Sequence, residues 1–317
     1  MNLRRHTKRK WSGKARVALS LLLLLCVWTV WGNTALSVNF LRISSDRLPA
    51  AFSGFRIAQV SDLHNAEFGK GNVRLLKALS ENVPDIIVIT GDFVDSRRTA
   101  IDIAVHFAEQ AVQIAPVYYV TGNHEARLPQ YAALRAGLEA AGVTILEDEA
   151  VQLSRDGESI TLIGLSDPSF ARGADMFGDA SDMVSTKLKD LMEGESGYTI
   201  LLSHRPELFD SYAACNVDLV FSGHAHGGQF RLPLVGGLIA PNQGLFPKYD
   251  AGVFLTDNTH MVVSRGLGNS IIPLRFYNRP EIVIAELYTN KEGQAGPDDP
   301  EPGRVYDRSA AGGVRQV

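Results

Sequence analysis

Residues 55–64 read FRIAQVSDLH, an apolar run that ends on an aspartate and a histidine two positions apart. A strand buried on both faces reads as a near-continuous hydrophobic run, and open α/β sheets bind their ligands beyond the carboxyl ends of the strands. The arrangement recurs downstream. DIIVITGD (85–92) ends on Gly91 and Asp92, and VYYVTGNHE (117–125) ends on Asn123, His124 and Glu125. TILLSH (199–204) ends on His204, and DLVFSGHAH (218–226) ends on His224 and His226. Between the early strands, residues 72–82, 101–113 and 130–141 place apolar side chains at helical spacing. This alternation predicts an α/β fold. ITLIGL (160–165) reads as a further buried strand. After Gln229 the strands are short and broken by Gly and Pro, with GVFLT (252–256), HMVVS (260–264) and EIVIAEL (281–287) the clearest. They are expected to form an antiparallel portion completing a second sheet.

The chain has 317 residues, 45% of them hydrophobic, enough for one large domain once its two ends are set aside. Its net charge of -4, from 31 Lys+Arg and 35 Asp+Glu, provides no basic field, and no nucleic-acid partner is expected. Cys26 lies in the N-terminal apolar run and Cys215 stands alone in the rest of the chain. With no thiolate cluster available, a metal must be held by His, Asp, Glu or Asn. His6, His106 and His260 fall outside the strand-end positions and receive no function.

Arg4, Arg5, Lys8, Arg9, Lys10, Lys14 and Arg16 precede a stretch that stays uncharged from Val17 to Leu41. It reads as a retained signal anchor, because no small-residue cleavage site follows it; a cleaved signal peptide is the alternative. The expected organisation is a basic cytoplasmic stem (1–16), a transmembrane anchor (17–37), a catalytic domain (38–289) with a strand-forming tether at its start, and a disordered tail (290–317). The basic residues before the anchor outnumber Arg42 and Arg47 after it. The positive-inside rule therefore makes this a single-pass cell-membrane protein with an extracytoplasmic domain.

Asp62 and His64 stand at i and i+2, on one side of an extended segment, and His224 and His226 repeat the spacing. Two divalent ions roughly 3.5 to 4 Å apart can share a carboxylate, polarise a phosphoryl oxygen and turn a bridging water into hydroxide. Asp92, directly after a glycine at a strand end, is the natural bridge.

At these positions the sequence resembles the calcineurin-like metallophosphoesterases, whose D-x-H, G-D, G-N-H-[DE], H and G-H-x-H motifs occur here in order. They read Asp62-Leu63-His64, Gly91-Asp92, Gly122-Asn123-His124-Glu125, His204 and Gly223-His224-Ala225-His226. The resemblance implies a two-sheet α/β/β/α sandwich and two divalent metal ions, Mn, Fe or Zn. One would be held by Asp62, His64, Asp92 and His226, the other by Asp92, Asn123, His204 and His224. His124 would be a catalytic non-ligand at the leaving-group side, with Asp95 orienting it. SRGLGNSIIPLRFYNRPEI (264–282) extends the resemblance to a membrane-anchored bacterial subgroup related to UDP-diacylglucosamine pyrophosphatases and cell-envelope enzymes. It implies hydrolysis of a phosphoester or phosphoanhydride in a small-molecule or lipid-linked substrate. Because Ser96 stands where the protein-phosphatase branch has arginine, Arg97, Arg98, Arg205 and Arg265 are the candidates for gripping phosphate. A phosphodiesterase or pyrophosphatase acting near the membrane leads; a UDP-2,3-diacylglucosamine pyrophosphatase of lipid A synthesis, a broad phosphomonoesterase and a metal-stabilised binding protein without turnover are the other readings.

Overall fold

The structure, a computed structural model, describes residues 12–173, 179–269 and 272–290, with the backbone of 306–307 and 315–316. Basic residues 4–10 and most of the 290–317 tail lie outside these limits. The chain opens with helix α1 (Gly13–Thr34) and strand β1 (Ser37–Ser45), followed by β2 (Arg56–Val60), α2 (Val73–Glu81) and β3 (Ile86–Thr90). Next come α3 (Ile101–Ala111), β4 (Val117–Val120), α4 (Tyr131–Ala140) and β5 (Thr144–Ile145). A hairpin of β6 (Glu149–Arg155) and β7 (Glu158–Gly164) leads to α5 (Ala180–Leu191), β8 (Thr199–Leu202), α6 (Phe209–Ala214) and β9 (Leu219–Ser222). Two miniature hairpins follow, β10 (Arg231–Leu232) with β11 (Gly236–Gly237) and β12 (Ile239–Ala240) with β13 (Gly244–Leu245). The last long strands are β14 (Gly252–Thr256), β15 (Thr259–Val263) and β16 (Glu281–Thr289), and the tail adds β17 (Tyr306–Asp307) and β18 (Arg315–Gln316).

One sheet has the order β18-β17-β1-β16-β2-β3-β4-β5 and the other β14-β15-β9-β8-β7-β6. Their inner faces meet in a core built from Ile57, Val88 and Val120 of the first sheet and Leu162, Leu202 and Phe221 of the second. Leu75, Phe107 and Leu138 of α2, α3 and α4 cover the outer face of the first sheet. Val184, Leu188 and Tyr212 of α5 and α6 cover that of the second. Four layers result, the α/β/β/α sandwich the motifs imply. The strands β2-β3-β4 and β7-β8-β9 run parallel within their sheets, so the loops after them gather at common sheet ends.

Two segments sit elsewhere than the periodicity suggests. EIVIAEL, expected in the second sheet, is β16 and fills the centre of the first, antiparallel to β2 and parallel to β1. The expected tether is β1 itself, an integral strand with Ser37, Asn39, Leu41 and Ile43 buried. Both differences have one cause: β1 and β16 find each other across nearly the whole domain, a pairing that local patterns do not encode.

Helix α1 has no buried residue, and its 22 residues are long and apolar enough to cross a membrane. At about 1.5 Å per residue it reaches roughly the 30 Å of a hydrocarbon core. Its carboxyl end is tied to the domain. Asn33 Nδ2 donates to the Arg275 carbonyl (2.9 Å), the Arg275 amide returns a bond to Asn33 Oδ1 (2.7 Å), and Trp28 meets Phe276 edge to face.

Candidate metal centre

The loops after β2, β3, β8 and β9 deliver Asp62, His64, Asp92, His204, His224 and His226 to one buried place. One ligand atom from each of Asp62, His64, Asp92 and His226 lies within 4.8 Å of the others, and the same holds for Asp92, His204 and His224. Asp92 belongs to both groups. Its Oδ2 stands 3.6 Å from His64 Nε2 and 3.3 Å from His204 Nε2, while Asp62 Oδ1 is 3.3 Å from His226 Nε2. Asn123 is buried beside this cluster in sequence, and its Oδ1 has no hydrogen-bond partner among the described residues.

The backbone is bent to this purpose. Asp62, His64, Asp92, His224 and His226 all take positive φ, between 45° and 64°, a conformation costly for residues with side chains and concentrated at functional sites. Two glycines make the crowding feasible. A Cβ at Gly122 would overlap Asp92 Oδ1, and one at Gly223 would strike Ser61 Oγ and Asp62. Glu125 holds the β3 loop from beneath, accepting bonds from the amides of Asp92 (2.9 Å), Phe93 (2.8 Å), Val94 (3.1 Å) and Gly122 (2.7 Å).

Electrostatics fit a cation site. Burial pushes His64 and His226 down to about 3, so both rings are neutral, with their Nε2 atoms 3.1 Å apart. Burial, His204 and Arg205 hold His224 well below its ordinary value. Burial alone would lower His204, but Asp92 pushes it up to about 10. Burial would likewise raise Asp92, yet His204, His64 and His124 hold it well below the usual carboxylate range. His204 Nδ1 donates to the Thr90 carbonyl at 2.7 Å, leaving Nε2 turned toward Asp92. Three neutral imidazoles, the Asp92-paired His204 and two carboxylates converge here, a donor set that suits divalent ions accepting mixed nitrogen and oxygen ligands.

His124 belongs to neither ligand group. Its Nε2 lies 4.0 Å from Asp92 Oδ2, and its Nδ1 accepts from the Ser96 amide at 3.1 Å. Asp95 Oδ1 is 3.6 Å from that Nδ1, beyond a good hydrogen bond, and both Asp95 oxygens are taken up by Arg97 (3.2 and 3.1 Å). A cavity of about 510 Å³ opens beside the cluster, lined by His64, Asp95, Arg97 and Arg98 among others. The remaining arginine candidates are committed elsewhere. Arg205 binds Asp167 through two bonds (2.6 and 3.0 Å) and touches His224 Nε2 at 3.2 Å, and Arg265 pairs with Glu281. Sequence reasoning missed Asp167, although it too follows a strand, β7, and so carries the same positional signal as the ligands. It also missed Arg275, fully buried with Nη2 3.5 Å from His226 Nδ1.

Fold and site together define a metal-dependent phosphoester hydrolase. A family profile described as calcineurin-like phosphoesterase matches residues 55–228, and the chain belongs to that family. It is 32% identical over 256 residues to the uncharacterized metallophosphoesterase YkuE of Bacillus subtilis, covering 77% of this chain and 83% of that one. It is 27% identical over 245 residues to the phosphodiesterase YaeI of Escherichia coli, covering 74% and 82%. A transmembrane protein with metallophosphoesterase domain from Danio rerio is 28% identical over 287 residues, covering 86% of this chain and 62% of the fish protein.

Proposed function

We propose that the protein is a two-metal phosphodiesterase or pyrophosphatase that works at a membrane surface, on an envelope phosphodiester or a phospholipid-linked anhydride. The observation that carries this reading is Asp92, shared between two buried ligand groups, one of whose members, His64, lines a cavity with Arg97 and Arg98. Asp62, His64, Asp92 and His226 would hold one ion, and Asp92, Asn123, His204 and His224 the other, from Mn, Fe or Zn. Bound there, such ions supply Lewis-acid polarisation of the phosphoryl group and activation of water near neutral pH.

The protein's own groups do the rest. With the Ser96 amide donating to Nδ1, the proton of His124 sits on Nε2, facing the cluster, where it donates a hydrogen bond to the departing oxygen as charge builds there. Asp95 Oδ1 stands 3.6 Å from His124 Nδ1 and is held there by Arg97. Glu125 keeps the amides around Asp92 fixed, so the carboxylate does not reorganise during the reaction. The YaeI relative, named a phosphodiesterase, supports the diester preference, and α1 supports the membrane setting.

The test is turnover by the full-length protein of an aryl phosphodiester, an aryl monoester and a nucleotide-lipid pyrophosphate, with each metal and after chelation. Diester or anhydride turnover that needs metal, and falls by orders of magnitude in Asp92→Asn, is expected. Preferred hydrolysis of the monoester, or unchanged activity in Asp92→Asn, overturns the proposal.

A further inference from the structure

We infer that the tip of the β10–β11 hairpin, the base of the β12–β13 hairpin and residues 272–277 form a lipid-facing rim that rests in the leaflet entered by α1. Leu234, Val235, Leu245, Phe246, Leu274 and Tyr277 are all exposed here, although they are large and apolar. Contiguous exposed apolar surface on a globular domain marks an interaction site. Three of these residues present their side chains from left-handed backbone, Leu234 at φ 68°, Phe246 at 52° and Tyr277 at 50°. That conformation is an outlier for bulky residues. The chain accepts strain to hold apolar groups away from its core.

The occupant follows from continuity. Gln229, three residues after His226, donates through Nε2 to the carbonyls of Ile272 (2.9 Å) and Leu274 (2.7 Å), and the Arg231 amide donates to Phe276. Those bonds bind the first hairpin to the 272–277 segment. The second hairpin joins them where the Phe246 amide meets the Leu238 carbonyl and the Leu238 amide meets Phe230. Arg275, in the same segment, bonds to Asn33 of α1, and Phe276 packs on Trp28. Tyr277 lines a cavity with Leu232 and Leu234 on one side and another with Trp28 and Trp31 on the other. The apolar rim is thus joined without a break to the end of an uncovered apolar helix. Arg279 lies over Trp31 and donates to the Ala35 and Leu36 carbonyls, which fixes this segment to the carboxyl end of α1. Arg275 also reaches His226, so the metal centre stands one arginine away from the membrane-facing segment.

The inference rests on the membrane-spanning reading of α1 and on no particular substrate, so it is tested without turnover. Full-length protein with Leu234→Trp or Phe246→Trp is placed in phosphatidylcholine and phosphatidylglycerol nanodiscs, with ordinary or brominated acyl chains. Leu255→Trp serves as control, because Leu255 is exposed and pairs opposite His260, at the end of its strand remote from the site. The emission added over the parent protein should be largely lost in brominated lipid for positions 234 and 246, and retained for 255. Two positions on separate hairpins keep the test decisive if one variant misfolds. Added emission at 234 and 246 that survives bromination as it does at 255 overturns the inference, including where a second copy of the chain covers the rim. Absence of metal-dependent turnover in the parent protein, with quenching intact, would instead count against the proposed hydrolysis.

Discussion

Replacing His124 by alanine should leave both ligand groups intact, since the ring contributes to neither. The chemical step should slow by roughly 10²–10³, the usual worth of one donor aimed at developing charge, and less for substrates whose leaving group builds up little charge. Single-turnover rates on good and poor leaving groups, with metal content measured beside them, check both halves; loss of metal would make His124 a ligand. Asp167 allows a prediction of the opposite kind. Burial alone would raise its pKa, but Arg205 holds it below the ordinary range. The sign is that of a depressed carboxylate: the pair stabilises fully above the unfolded pKa of about 4 and loses that contribution as pH falls through the lower folded value. Asp167→Ala should cost about 3–5 kcal/mol by stranding a buried guanidinium, read as a lower Tm at pH 7 and a smaller difference from the parent at acid pH. The ligand candidates are legible in the sequence because strand ends announce themselves and His and Asp are rare enough there to be noticed. Glu125, Arg205 and Arg275 are not, since their roles lie in which amide, carboxylate or carbonyl they meet, and those partners come from distant segments.

Strands and helices show the same division. β2, β3, β4, β8 and β9 are written as apolar runs, and α2, α3 and α4 as 3.6-residue periodicity, so the parallel frame around the site can be read directly. Helix α5 buries only Val184 and Leu188, too few apolar positions to stand out. In β1 the buried face begins with Ser37 and Asn39, which hides its alternation, and its partner β16 lies at the other end of the domain. Its membership in the sheet predicts an asymmetry between two truncations. Removing residues 1–35 takes away α1 and the Asn33 bonds but leaves every strand in place; removing 1–46 also strips Leu41 and Ile43 from the core. At about 1.5–3 kcal/mol per buried aliphatic side chain, plus the lost ladder, the second deletion approaches a domain's entire stability. Thermal unfolding should show a cooperative transition for the first variant and none for the second. Equal stability of the two would mean that β1 is an appendage.

For the molecule as a whole, the basic residues before α1 and the scarcity of such charge after it predict a cytoplasmic amino terminus and a domain on the far side. Fusions at the carboxyl terminus, one to a reporter active only outside and one to a protein fluorescent only inside, should give the first signal and not the second; the reverse pattern would refute this orientation. The pairing of β1 with β16 has a consequence for how such a chain is made. β1 is among the first parts of the domain to leave the ribosome and β16 among the last, with nine residues of parallel register joining them. At roughly 5–20 residues per second, on the order of ten seconds or more separate their synthesis. Throughout that interval β1 and β2 each lack the neighbour that will lie between them. A nascent chain arrested anywhere before Glu281 therefore offers two open strand edges, templates for aggregation. Its expected fate is proteolysis, not a partly active enzyme.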